Sequence, residues 1–316
     1  MKVVDQQFGE QWAMYHGDCI EVVKGIPDNS IHYSVFSPPF ASLFTYSDSV
    51  RDMGNCKGQV DFAEHFKFLM PELFRVIMPG RLLSFHCMNL PATLGHDGYI
   101  GIKDFRGDLI RAFQSAGFIF HSEVCIWKDP LVQATRTKQL MLAHKQISKD
   151  SSRCGQGLPD YIVTMRKPGE NPEPISHGRG FEVYHGEKDE PAAPKTDNPR
   201  TNKYSHKVWQ RYASPVWFDI NQTNTLNVVM ARSQDDERHI CPLQLDTISR
   251  CLELWSNPGD TVLSPFAGIG SEGYQSIFMG RNFIGVELKK TYFDCAVKNM
   301  KKAEIKTGTS QLKMFG

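Results

Sequence analysis

The chain has 316 residues, of which 41% are hydrophobic and 22% charged, with a formal net charge of +1. That length suits one α/β domain with a substantial insertion, and the composition is that of an ordinary globular protein, not a disordered or fibrous one. No run approaches the roughly 18 apolar residues of a membrane span, and the opening MKVVDQQFGEQW lacks the apolar stretch of a secretory signal, so a cytoplasmic protein without membrane contact is expected.

In chain order, Trp12 to His16 reads as a strand ending at Gly17-Asp18, and Ile31 to Phe36 as a strand stopped by Pro38-Pro39. Phe62 to Met78 has apolar residues at helical spacing, interrupted at Pro71 and closed by Pro79-Gly80. A buried strand (Leu82 to Cys87), an amphipathic helix (Phe105 to Ala116) and another strand (Glu123 to Trp127) follow. From Pro168 to Pro199 the chain is rich in proline and polar residues, which predicts a mobile loop without a packed core. Regular structure resumes with a helix over Leu243 to Trp255, a strand over Thr261 to Leu263 and a helix over Ser271 to Met279. A strand over Asn282 to Glu287 and a helix over Tyr292 to Ala303 close the series. Strand–helix alternation of this kind predicts a mostly parallel sheet covered by helices.

The eight cysteines (Cys19, Cys56, Cys87, Cys125, Cys154, Cys241, Cys251 and Cys295) form no C-x-x-C pair, so reduced thiols are expected and no metal. Between Arg136 and Arg211 there are 14 Lys+Arg against 9 Asp+Glu, a moderate basic excess that fits either a phosphate-binding patch or a solvated insertion.

Three short motifs carry chemistry. Leu263-Ser264-Pro265-Phe266-Ala267-Gly268-Ile269-Gly270-Ser271 is a strand breaking into a glycine-rich turn that opens a helix, and Glu287 ends the next strand. Glycines allow close backbone approach, the helix start offers N–H groups, and an acid at the second strand end suits ribose hydroxyls. A purely structural turn is the alternative. Ser37-Pro38-Pro39-Phe40 ends a strand; the prolines fix the backbone so that the Ser37 hydroxyl and Pro38 carbonyl can accept both hydrogens of an –NH2 group, with Phe40 as a flat platform. By itself it equally reads as a rigid turn. Asp18 suits an adenine amino group or a helix N-cap.

Together these motifs resemble the β-group DNA amino-methyltransferases, in which an S/D/N-P-P-Y/F motif precedes the cofactor motif. The resemblance runs through H16-GDCIEVVKGIPDNSIHYSVFSPPF-40, E72-LFRVIMPGRLLSF-85, G117-FIFHSEVCIWKDP-130 and H239-ICPLQLDTISRCLELWSNPGDTVLSPFAGIGSEGYQSIFMGRNFIGVE-287. It implies a Rossmann-like methyltransferase fold with a mostly parallel seven-stranded sheet in permuted motif order. It also implies S-adenosylmethionine as cofactor, with Phe266, Gly268, Gly270 and Ser271 around the methionine part, Glu287 at the ribose and Asp18 at the adenine. Ser37, Pro38, Pro39 and Phe40 would hold the target amine. The family usually has Asp where Ser264 stands, which removes a carboxylate partner for the cofactor ammonium.

On this reading residues 1–130 form the catalytic half, 131–238 a target-recognition region and 239–316 the cofactor half. Double-stranded DNA is the expected partner, met by Arg136, Lys138, His144, Lys145, Arg153, Arg166 and Arg179. A cognate restriction endonuclease is a further candidate partner, and the chain is expected to be a monomer or homodimer. In the resembled family S-P-P-Y/F is commonest in cytosine-N4 enzymes and D/N-P-P-Y in adenine-N6 enzymes, which favours cytosine N4. A neutral Ser37 can also offer its own proton elsewhere, for instance to cytosine N3, although adenine N1 could take the same proton. The alternatives are adenine N6, methylation of a protein amide or RNA, and a non-catalytic DNA-binding protein. Cytosine C5 is disfavoured, because Cys241 precedes Pro242 where that chemistry needs a cysteine after proline.

Overall fold

A computed structural model describes residues 3–39, 59–137, 144–187, 190–226 and 242–314. Its strands are β1 (Asp5–Phe8), β2 (Trp12–His16), β3 (Ile31–Phe36), β4 (Ile77–Met88), β5 (Leu90–Ala92), β6 (Gly101–Lys103), β7 (Ile119–Ile126), β8 (Asp160–Arg166), β9 (Val216–Trp217), β10 (Thr261–Ser264) and β11 (Asn282–Glu287). The helices are α1 (Cys19–Val23), α2 (Gln59–Val76), α3 (Leu94–Asp97), α4 (Phe105–Ser115), α5 (Pro130–Thr137), α6 (His144–Ile147), α7 (Lys203–Tyr212), α8 (Leu245–Trp255), α9 (Ser271–Phe278) and α10 (Lys290–Met314).

One sheet has the order β1-β2-β11-β10-β3-β4-β8-β7-β9. Strands β2, β11, β10, β3 and β4 run parallel, and β8 is antiparallel between β4 and β7. The expected seven-stranded sheet is therefore present, extended by one short strand at each edge. Burial at every consecutive position from Tyr33 to Phe36 of β3 suits a strand covered on both faces. On one face α1, α2 and α4 bring Val22, Leu69, Leu73 and Phe113 onto Phe36, Phe85 and Leu263. On the other, α8, α9 and α10 bring Ile248, Ile277 and Met300 onto Met14, Val35 and Val262. The result is a three-layer α/β/α sandwich.

Several expectations are corrected. Helix α2 continues through Pro71, which lies exposed, where water can satisfy the carbonyl it leaves without a partner. Pro79-Gly80 lies inside β4 as a bulge, because the register jumps from Ile31↔Ile77 to Tyr33↔Leu82. Gly80 adopts φ +72°, and its N–H donates to the Lys167 carbonyl at 3.0 Å, so the ladder survives the extra residues. Within the 131–238 stretch, β8 lies inside the main sheet and β9 pairs with β7. The proline-rich segment is also packed, with its Phe181 set against Tyr204, Val208 and Tyr212 of α7. Its aromatic residues, spaced too irregularly for a helix or strand pattern, supply that packing.

Candidate active site

In open α/β sheets, ligands bind outside the carboxyl ends of parallel strands. Here that edge gathers residues far apart in the chain. Reading across it, β2 ends at His16 with Asp18 two residues on, β11 at Glu287, β10 at Ser264 before its glycine turn, β3 at Phe36 with Ser37 next, and β4 at Met88, with His86 in its last residues. With strands about 4.8 Å apart, Asp18 and Ser37 stand on the order of 14 Å from each other along the edge. The permuted order is thereby resolved: β10 is late in the chain but pairs directly with β3.

On the cofactor side, Glu287 is held by backbone. Its Oε2 accepts from Gly268 N–H and its Oε1 from Lys289 N–H, both at 2.8 Å, which locks the carboxylate against the glycine turn. A carboxylate offers about four acceptor sites, so this pinning is compatible with ribose hydroxyls. Gly268 (φ +53°) and Gly270 (φ +85°) both adopt left-handed backbone that disfavours side chains. A Cβ at Gly268 would meet nothing within 4 Å, so the turn faces open space there, whereas at Gly270 it would stand 2.7 Å from the Met300 methyl. The Ser264 and Ser271 hydroxyls are buried without a partner among the described residues. Open space above the turn and two orphaned hydroxyls beside it fit a polar ligand such as the methionine part of the cofactor. Phe266 packs against Phe36 and Phe66, so it walls the cleft. Asp18 caps α1, accepting from Ile20 N–H at 2.9 Å. Glu272, in the first turn of α9, is buried, and burial pushes its carboxyl up to about 8, with the Glu287 charge adding to the rise.

On the target side, Ser37 is half-buried, Pro38 buried and Pro39 half-buried, while Phe40 lies outside the described residues. Beside them is a group the motifs do not reveal. Ser37 Oγ is 3.1 Å from His86 Nδ1, and His86 Nε2 is 2.8 Å from Asp160 Oδ2, which also pairs with Lys128 Nζ. Burial raises the Asp160 carboxyl, but His86 and Lys128 outweigh it and hold it at about 2. As the accepting carboxylate, Asp160 places the proton of a neutral imidazole on Nε2, so Nδ1 accepts the Ser37 hydroxyl proton. In that tautomer the Ser37 proton is directed to His86 and not to cytosine N3. His86, Asp160 and Lys128 come from β4, β8 and the segment after β7, and no local spacing links them. The only sequence signal is positional, since the β3–β4 register puts His86 opposite Ser37.

The basic residues divide. Arg136, Lys138, His144, Lys145 and Arg153 lie between the end of β7 and the start of β8, both at the catalytic edge. His144 is exposed; Lys138 lies outside the described residues, as do the side chains of Arg136, Lys145 and Arg153. Arg166 ends the antiparallel β8 and pairs with Leu82, at the opposite edge from Ser37. Arg179 pairs with Glu182 at 3.3 Å, near the end of α8 where His177 bonds the Glu253 carbonyl. The fold thus directs Arg166 and Arg179 away from the site. His32, Glu173 and Asp260 converge near the same far edge. His32 Nδ1 accepts from Thr261 N–H at 3.1 Å, leaving Nε2 protonated as a donor to the acids and not a metal ligand. The six described cysteines are free.

Comparison with known proteins agrees with this geometry. The N6/N4-type DNA methylase family model matches residues 31–298. The type II methyltransferase M.BamHI of Bacillus amyloliquefaciens is 24% identical over 87% of this chain, which spans 54% of that protein, about half its length. M.BglI of Bacillus subtilis is 23% identical over 91% of this chain and 85% of its own. A solved Thermus thermophilus structure, described as a DNA modification methylase complexed with S-adenosyl-L-methionine, superposes with a TM-score of 0.62 at 19% identity, covering 93% of this chain and 95% of that one. With most of its length matched by the family model and the family's motifs assembled on one edge, the chain belongs to the N6/N4 family of S-adenosylmethionine-dependent DNA methyltransferases.

Proposed function

We propose that the chain methylates the exocyclic N4 of cytosine in double-stranded DNA. The observation that carries this reading is Ser37 at the head of S-P-P-F, where the family's adenine enzymes carry Asp or Asn. Bound S-adenosylmethionine supplies an electrophilic methyl group; Gly268, Gly270, Ser264, Ser271 and Glu287 would hold it, with Asp18 at the adenine. Ser37 Oγ and the Pro38 carbonyl accept the two amine hydrogens, which favours a pyramidal nitrogen and stabilises the positive charge that grows on it. Orientation of that nitrogen toward the methyl carbon provides much of the remaining acceleration. A base inside a duplex cannot reach this edge, so the target cytosine leaves the stack, with Phe40 as its platform.

Target recognition is assigned to the 131–238 stretch, chiefly to its part between the end of β7 and the start of β8, which carries Arg136, Lys138, His144, Lys145 and Arg153. A restriction endonuclease of the same site specificity is the partner this activity would serve. Mass spectrometry of nucleosides from methylated DNA tests the base: N4-methylcytosine is expected. N6-methyladenine would overturn the base assignment alone, and 5-methylcytosine as sole product would overturn the amino-methyltransferase chemistry.

A further inference from the structure

The geometry points to a proton relay, Ser37–His86–Asp160, that carries away the hydrogen released when the amine is methylated. It rests on the proposed amino-methyl transfer. Three observations converge on it. Ser37 Oγ lies 3.1 Å from His86 Nδ1, and His86 Nε2 lies 2.8 Å from Asp160 Oδ2. His86 and Asp160 are 9% and 1% exposed, so water competes little for the bond between them. Asp160 also pairs with Lys128. Burying a carboxylate with a lysine and an imidazole carries a desolvation cost that apolar side chains would avoid, so a purely structural role explains this trio poorly.

The chemistry balances through these atoms. As the nitrogen–methyl bond forms and the methyl–sulfur bond breaks with its electron pair left on sulfur, the amine nitrogen holds one hydrogen too many. That proton passes to Ser37 Oγ while the Ser37 hydroxyl proton passes to His86 Nδ1. The imidazolium is stabilised by Asp160 and later loses a proton to solvent. Asp160, held ionised by burial-opposing contacts with His86 and Lys128, is a positioning residue: it selects the imidazole tautomer whose Nδ1 lone pair faces Ser37. The charged groups facing the imidazole are Asp160 from β8 and Lys128 from the segment after β7, with Ser37 of the β3 end on its other nitrogen.

The test is single-turnover methyl transfer to DNA, measured against pH for the wild-type chain, His86→Ala and Asp160→Asn. In the wild type the rate should fall toward acid pH, because a protonated imidazole cannot accept the proton. His86→Ala should lower the rate on the order of 100-fold and abolish that limb, with cofactor affinity unchanged and partial rescue by added imidazole. Asp160→Asn should weaken the limb. In the wild-type chain, 15N NMR should show the neutral His86 ring protonated at Nε2. An unchanged rate and pH profile in His86→Ala, or an Nδ1-protonated ring, would overturn the relay while leaving the proposed function standing. A wild-type chain that transfers no methyl group to DNA would overturn the function and the relay with it.

Discussion

At the scale of single residues, Glu287 has a structural role beside the ribose contact proposed for it. Its carboxylate ties the glycine turn to the end of β11 through Gly268 and Lys289 N–H groups. Glu287→Ala removes a charged acceptor whose hydrogen bonds are each worth about 1.5–3 kcal/mol. S-adenosylmethionine affinity, measured by calorimetry, should therefore fall at least about tenfold. A folded variant with unchanged affinity would show that the ribose does not lie at this strand end. Neutral Ser37 has a different dependence: its hydroxyl proton is directed to His86, so it meets the amine as an acceptor. The choice between cytosine and adenine therefore rests on the motif's occurrence within the family and not on a hydrogen bond to a ring nitrogen.

At the scale of elements, the turn between β10 and α9 does two separable jobs. Gly270 sits at φ +85°, with Met300 and Ala296 of α10 closing around it, whereas Gly268 at φ +53° faces open space. Gly270→Ala combines left-handed strain with a clash against α10 and should cost about 1–3 kcal/mol of stability, read from urea unfolding. Gly268→Ala carries the left-handed penalty alone, about 1–2 kcal/mol, but puts a methyl group where the cofactor would lie. Its loss should appear chiefly in cofactor affinity. If Gly268→Ala binds S-adenosylmethionine as well as the wild type, the open space above the turn is not the cofactor site. Helix α1 has a similar double use on the proposed reading, since the Asp18 that caps it is also the residue proposed to meet the adenine.

At the scale of the whole molecule, the segment after β8 is bound to the sheet's helical layer through Arg250. That guanidinium is fully buried, lies over the rings of Tyr184, Tyr212 and Trp217, donates to the His185 carbonyl at 2.6 Å and stands 2.9 Å from Asp219. Burial raises the Asp219 carboxyl, but Arg250 and the Tyr184 hydroxyl together bring it below its ordinary value. Its contribution is therefore present above the unfolded carboxylate pKa of about 3.9 and lost as pH falls through the depressed folded value. Arg250→Met leaves a buried carboxylate short of its main partner and should cost about 3–5 kcal/mol at pH 7. The penalty should shrink as pH falls below about 4, because protonation neutralises the stranded acid. A penalty that is constant from pH 7 to pH 3 would mean that Arg250 acts through ring packing alone.

Much of this protein was decided by sequence alone. The strand-ending S-P-P-F, the glycine turn after β10 and the acid ending β11 are local patterns, because proline stops a ladder and glycine admits left-handed backbone wherever they occur. They suffice for the family and the α/β class, and they nominate the residues proposed for the cofactor. Three things required the tertiary structure. Antiparallel β8, hidden inside what reads as an insertion, entered the sheet because its apolar run is covered on both faces, a matter of neighbours and not of periodicity. The same antiparallel direction carried Arg166 to the far edge. His86, Asp160 and Lys128 met Ser37 only because three strands end on one edge. Hydrogen bonds between residues 49 to 74 positions apart leave no spacing to read, since pairing of strands, and not the chain between them, sets who is adjacent.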